Sequence, residues 1–174
     1  MTTSEQKVDA ALSTIEIRNL GRAYCRAMDR CDADLLKTIW QDGATVKYGV
    51  FDGDAREFSD FITAQNLKNS KRLYHTISND WIEVRGNEAV GEVYVIAVSS
   101  ADQDGQEKDH FVGGRYIDRY ERRNGTWKIA HRSFVLDWHF SQDSTAQWDE
   151  GMYGMLKLRG DRGSKDPVQA FWRE

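Results

Sequence analysis

Proline occurs once in the 174 residues, at Pro167, and cysteine only twice. With so few built-in breaks, element boundaries have to be read from caps, glycines and changes of period. Cys25 and Cys31 stand too far apart for CxxC metal spacing and are too few for a disulfide-stapled secreted domain, so they read as reduced, buried thiols. No apolar run approaches the ~20 residues of a membrane span. Met1 to Ala11 also lacks the basic-then-apolar pattern of a leader. The expectation is a soluble, cytoplasmic protein with no membrane partner. Charge of one sign is nowhere blocked: the formal net charge is -4, with both signs interleaved, which argues against a nucleic-acid partner. No zinc-type histidine spacing and no glycine-rich phosphate loop is present, His131 and His139 being eight apart, so the chemistry is expected to need no metal or other cofactor.

What the chain does have is rings: seven Tyr, seven Phe and six Trp. Such residues can line an interior that takes aromatic or polycyclic ligands. Its length suits one core.

Ser13 and Glu16 have capping-box spacing, and Ile17, Leu20, Tyr24, Ala27 and Met28 follow at helical intervals, which predicts a first helix over 14–29 with a loose segment before it. Asp32 caps a second helix through Leu35, Leu36, Ile39 and Trp40, ended by Gln41-Asp42-Gly43 before a strand over 44–50. Asp54 caps a third, through Phe58, Phe61 and Ile62. From Arg72 the period changes to that of strands: 74–84, 89–99, a polar loop over 101–108, then 110–122 and 126–138, the last two joined at Asn124-Gly125 by a tight hairpin turn. Trp40, Trp81 and Trp127 read as core, and Gly113-Gly114 as a bulge or close backbone approach. Helices followed by a meander imply an α+β fold. Residues 140–174 carry scattered apolar points without a period.

Three helices before a four-strand meander, with YCRAMDRCDADLLKTIW, LYHTISND and GGRYIDRYERRNGTWKIAHRSF in that order, resemble the SnoaL-like, NTF2-like (cystatin-like) superfamily over residues 14–140. The resemblance implies a cone in which helices pack on a strongly curved antiparallel sheet around a pocket. The expected domain runs over 1–140, and the extension over 141–174, outside the resemblance, either covers the pocket, wraps a neighbouring subunit or is a partly ordered terminus. Within the superfamily the chain is similar to the branch of hexachlorocyclohexane dehydrochlorinase, scytalone dehydratase and bile acid 7α-dehydratase. That branch implies a catalytic pair at Asp29 and His75, an arginine at Arg132, five residues after Trp127, and a tyrosine at Tyr24, five before Asp29. The chain departs from it too: the bile acid enzyme's arginine falls where Leu136 stands, and scytalone dehydratase's second histidine and Ser/Asn pair have no clear equivalents. The resembling dehydratases are trimers, which implies a homotrimer in preference to a dimer.

A neutral imidazole accepts a proton near neutrality, so His75 is the expected base; a carboxylate on its far nitrogen, from Asp29, fixes the tautomer and stabilises the imidazolium. Arg132 shares a strand face with Ala130, Phe134 and Leu136, so its charge needs an anion there, whether Asp29, the substrate, a departing group or a structural ion-pair partner, unless an edge position lets it reach water. Tyr24 lies on the buried stripe of the first helix as a proton donor, while Tyr48, His110, Tyr116 and Phe134 are expected to contact substrate. These residues predict a cofactor-independent lyase acting on a small hydroxylated aromatic molecule, by dehydration or by carbon–carbon cleavage with formaldehyde release. Alternatives on the same fold are an isomerase, an epoxide hydrolase, a non-catalytic ligand-binding cone, or the structural β subunit of a ring-hydroxylating dioxygenase.

Overall fold

A computed structural model describes residues 3–172; the outermost ends of the expected domain and extension, residues 1, 2, 173 and 174, lie outside the described residues. Helix α1 (Ser4–Arg30) is closed at its start by a capping box between Thr3 and Gln6 and at its end by Cys31 in the left-handed conformation. It therefore begins ten residues before the expected start. Ser13, expected as a cap, is buried inside the helix, where Arg122 lies 3.4 Å from its hydroxyl and also holds Asp9. Capping-box spacing alone could not reveal that an earlier cap competes. Helix α2 (Ala33–Thr38) and helix α3 (Ala55–Asn69) start where Asp32 and Asp54 were expected to cap, each carboxylate accepting from helix N–H groups.

Trp40 does not end a helix but opens strand β1 (Trp40–Lys47), pairing with Ile129, because burial of Leu36, Ile39 and Trp40 together outweighs the helical spacing. Strand β2 (Asp52–Asp54) follows. The meander comprises β3 (Arg72–Arg85), β4 (Glu88–Gln103), β5 (Gln106–Arg123) and β6 (Thr126–Asp143), in a six-stranded sheet of order β2-β1-β6-β5-β4-β3. Only the β1–β6 pairing is parallel. The expected loop over 101–108 is instead two turn residues, Asp104-Gly105, at φ 55° and 84°; Asn124-Gly125 turns the next hairpin at 52° and 79°. Both pairs supply the positive φ angles of a type I′ hairpin.

The sheet curves around α1 and α3, which bury Ile17, Tyr24, Ala27, Met28 and Phe58 against Val93, Val95, Tyr116, Tyr120 and Ile129. A bulge between Ile77 and Asp80 shifts the inward face of β3, so His75 and Ile77 point in with Asp80 rather than Asn79. Trp81 is thereby turned outward and left 71% exposed, contrary to its expected core position. A second irregularity falls at Gly113/Gly114, as expected of paired glycines inside a strand.

Beyond β6 the chain forms α4 (Gly151–Met155), a 3₁₀ turn (Gly163–Lys165) and α5 (Pro167–Phe171). Buried Asp166 sits 3.0 Å from Arg30, Arg26 lies over the Trp172 ring, and Arg162 caps the carbonyls of Asn66, Leu67 and Ser70 at the end of α3. This segment is thus fastened beside the last turns of α1 and α3.

At Gly114 an added Cβ would meet the Val135 carbonyl oxygen at 2.4 Å and the Phe134 ring at 2.7 Å, whereas at Gly113 it meets only the side chain of half-exposed Trp138. Gly114→Ala is expected to lose about 1–3 kcal/mol in urea denaturation and Gly113→Ala less, because an exposed ring can swing away and a paired strand cannot.

Candidate active site

Asp29 closes the last turn of α1 and His75 lies on the inner face of β3, against which α1 packs. Their side chains meet: His75 Nδ1 is 2.7 Å from Asp29 Oδ1, with 9% and 12% of the side chains exposed. With Nδ1 donating to the carboxylate, Nε2 is the ring's proton-accepting atom.

Arg132 does not pair with Asp29. It is 0% exposed and held by Asp118, which accepts from Nε at 2.8 Å and from Nη2 at 2.6 Å; the Tyr120 hydroxyl donates to the same carboxylate at 2.6 Å. The guanidinium carbon lies 4.1 Å from the Tyr116 ring centre and 4.4 Å from that of Tyr24. Nη1 has no hydrogen-bond partner, and the two negative ring faces take the place of one. Burial works against the Arg132 charge, but Asp118 outweighs it and keeps the group cationic.

Asp118 was missed from the sequence, although the signal was there. Tyr116, Asp118 and Tyr120 alternate on one face of β5, so an aspartate stands in an apolar row just as Arg132 does on β6, and the two are register partners.

Tyr24 is buried and its hydroxyl lies 2.7 Å from that of Tyr48, which follows β1 and is stacked between Phe58 and Phe134. Burial raises the phenol pKa of Tyr24, Tyr48 and Tyr116, while Arg132 opposes the rise in each. All three stay protonated donors at neutral pH. Tyr48 and Phe134 are only half-buried, so of this cluster they are the groups nearest to an incoming ligand.

His110 is separate from the pair. It lies on the inner face of β5, Nδ1 2.7 Å from the Ser141 hydroxyl, and lines an open cavity of about 560 Å³ between the end of α3, the β4–β5 hairpin and Arg162. The structure therefore joins Asp29 to His75, and Tyr24 to Tyr48, Tyr116, Phe134 and Arg132, but sets His110 apart. Among the described residues, no three His, Cys, Asp or Glu side chains converge as a metal site. No described helix is long and apolar enough to cross a membrane.

Residues 9–133 match the SnoaL-like domain. The chain belongs to the SnoaL-like family. Solved structures agree on the fold. Hexachlorocyclohexane dehydrochlorinase LinA-type3 from Novosphingobium barchaimii is similar at TM-score 0.69 and 20% identity, over 76% of this chain and 91% of that one. A candidate scytalone dehydratase from Novosphingobium aromaticivorans is similar at TM-score 0.66 and 19% identity, over 79% and 91%. A cystatin-like protein of unknown function from Nostoc punctiforme reaches TM-score 0.61 at 18% identity, over 73% and 92%. No curated protein matches the chain. The SnoaL-like cone is thus shared by dehydrochlorinase, dehydratase and uncharacterised relatives.

Removing one member of the buried ion pair strands the other. Arg132→Met is expected to destabilise the protein by about 3–5 kcal/mol, with most of that recovered in Asp118→Leu/Arg132→Met, as read by urea denaturation.

Proposed function

We propose that this SnoaL-like protein is a cofactor-independent lyase in which His75 and Asp29 are the catalytic pair. The observation that supports this reading is the 2.7 Å contact between them at the nearly closed junction of α1 and β3. Nε2 of His75 removes a proton from carbon, the freed pair forms a double bond, and the neighbouring group departs with its bonding electrons. Asp29 stabilises the imidazolium so formed. If the proton comes instead from the hydroxyl of a hydroxymethyl group, the O–H pair forms the C=O of formaldehyde, and the pair of the broken carbon–carbon bond forms the double bond as the neighbouring group departs. Halide loss needs only a different leaving group.

Tyr24 and Arg132 assist departure from behind Tyr48. Because Arg132 is wholly buried and Tyr24 nearly so, Tyr48, bonded to Tyr24 and stacked on Phe134, is the donor that meets the leaving group. The aromatic surroundings favour a hydroxylated aromatic substrate. The extension beyond residue 140, fastened beside the turn that carries Asp29, covers the approach to the pair.

The outer sheet face supports association into a homotrimer. Tyr74, Tyr94, Ile96, Ile117, Trp138 and Phe140 are all exposed there, and the carboxylates Glu92 and Asp137 are both tied to Arg115 at 2.6–2.9 Å.

Turnover of a panel of hydroxylated and halogenated aromatics, with a metal chelator present, tests the mechanism. His75→Ala and Asp29→Asn are each expected to lower kcat by about 10²–10⁴-fold with circular dichroism unchanged. Undiminished turnover in both would remove His75 as the base. Light scattering of the purified protein is expected to give three times the 20.0 kDa chain mass; a monomer or dimer would remove the trimer.

A further inference from the structure

The cavity at His110 differs in character from the rest of the molecule. The chain as a whole carries net charge -4, yet the cavity lining brings Lys68, Lys71, Arg162 and His110 together against a single carboxylate, Asp102. Two of the cations build the walls. Lys71 lies 3.0 Å from Glu107 and 3.5 Å from Asp102, which ties the start of β3 to the β4–β5 hairpin. Arg162 donates to the carbonyls at the end of α3 and so fixes the opposite wall.

The remaining donors are unspent. Lys68 is exposed and enters no described ion pair, and His110 uses Nδ1 on Ser141 but has no described partner on Nε2. Ser70 and Gln103 add neutral polar side chains. An open cavity of about 560 Å³, flanked by Lys71 and Arg162 and edged by the exposed Lys68 ammonium, is suited to a ligand with one anionic group.

The cavity also lies in line with the proposed catalytic pair. Lys71, Leu73 and His75 alternate along one face of the chain. Leu73 pairs with Ser99 and so with His110, while His75 pairs with Ala97 and so with Val112. Lys71 and His75 are four positions apart in extended chain, a span of about 13 Å. This is comparable to two linked aromatic rings together with a substituent at each far end.

We propose that this cavity seats a carboxylate borne by the substrate, one ring beyond the ring that reaches His75, so that the protein selects an extended aromatic acid over its neutral analogue. The link to turnover rests on the lyase reading; the binding site itself does not.

The test uses 4′-hydroxybiphenyl-4-carboxylate and its neutral carboxamide as probes of the whole protein. At low salt the acid is expected to bind about tenfold tighter than the amide in calorimetry, with the preference reduced as ionic strength rises. Amide resonances of Ser70, Gln103 and His110 should shift with the acid. Lys68→Gln should remove most of the preference for the acid while leaving amide binding and circular dichroism unchanged. Equal binding of the two probes, an unchanged preference in Lys68→Gln, or resonance shifts confined to other parts of the chain would overturn the site. Binding in His75→Ala separates the two readings. If the acid still occupies the cavity but no panel member is turned over by the wild type, the lyase reading falls and the site stands. If neutral aromatics are turned over and the acid binds no better, the site falls and the lyase reading stands.

Discussion

A guanidinium with no exposed surface must have an anion beside it, and the interior of this cone is arranged to supply one. Asp118 satisfies two nitrogens of Arg132, while the third faces aromatic rings. Other features follow from this arrangement. It fixes the pairing of β5 with β6 at Asp118 and Arg132, next to a register shift that a looser contact would not hold. It draws Tyr24 of α1 and Tyr116 of β5 onto the charge, so α1 is positioned in rotation as well as in distance. That placement brings the last turn of the helix, and Asp29 with it, within reach of His75.

Two electrostatic regimes therefore lie along the inner face of the sheet. At its closed end the charges cancel within a dry aromatic cluster, and burial keeps the phenols protonated. At its open end, beside the β4–β5 hairpin, positive charge outnumbers negative in a cavity that admits solvent. Along the sheet the Asp29–His75 pair lies between them, with little of either side chain exposed. The same tail that walls this cavity through Arg162 is fastened through Asp166 to Arg30, the residue after Asp29.

The features legible in the sequence were those with local causes. Asp32 and Asp54 cap helices because a carboxylate bonds to N–H groups two or three residues away, and Asn124-Gly125 turns a hairpin because both residues accept positive φ. The misreadings came where a local signal met a distant one. The spacing of Ser13 and Glu16 is a genuine capping pattern, but Thr3 starts the helix earlier and the sheet buries Ser13. Trp81 alternates as a core residue would until the bulge before Asp80 reverses its face. No cap, turn or apolar period in the sequence singles out Asp29, so only the family resemblance points to it. The partner of Arg132 was open to the reasoning applied to Arg132 itself, since Asp118 interrupts an equally apolar row.

The amino-acid sequence by itself determined the α+β order of elements, the starts of α2 and α3, the hairpin at Asn124-Gly125 and the membership of the SnoaL-like family. Only the tertiary structure decided who pairs with whom: Arg132 with Asp118, Tyr24 with Tyr48, and His110 with a cavity apart from His75. Caps and turns are settled over three or four residues of chain. A buried charge chooses its partner from whatever the curved sheet brings within about 3 Å, and that choice depends on the register and bulges of strands that no local pattern fixes.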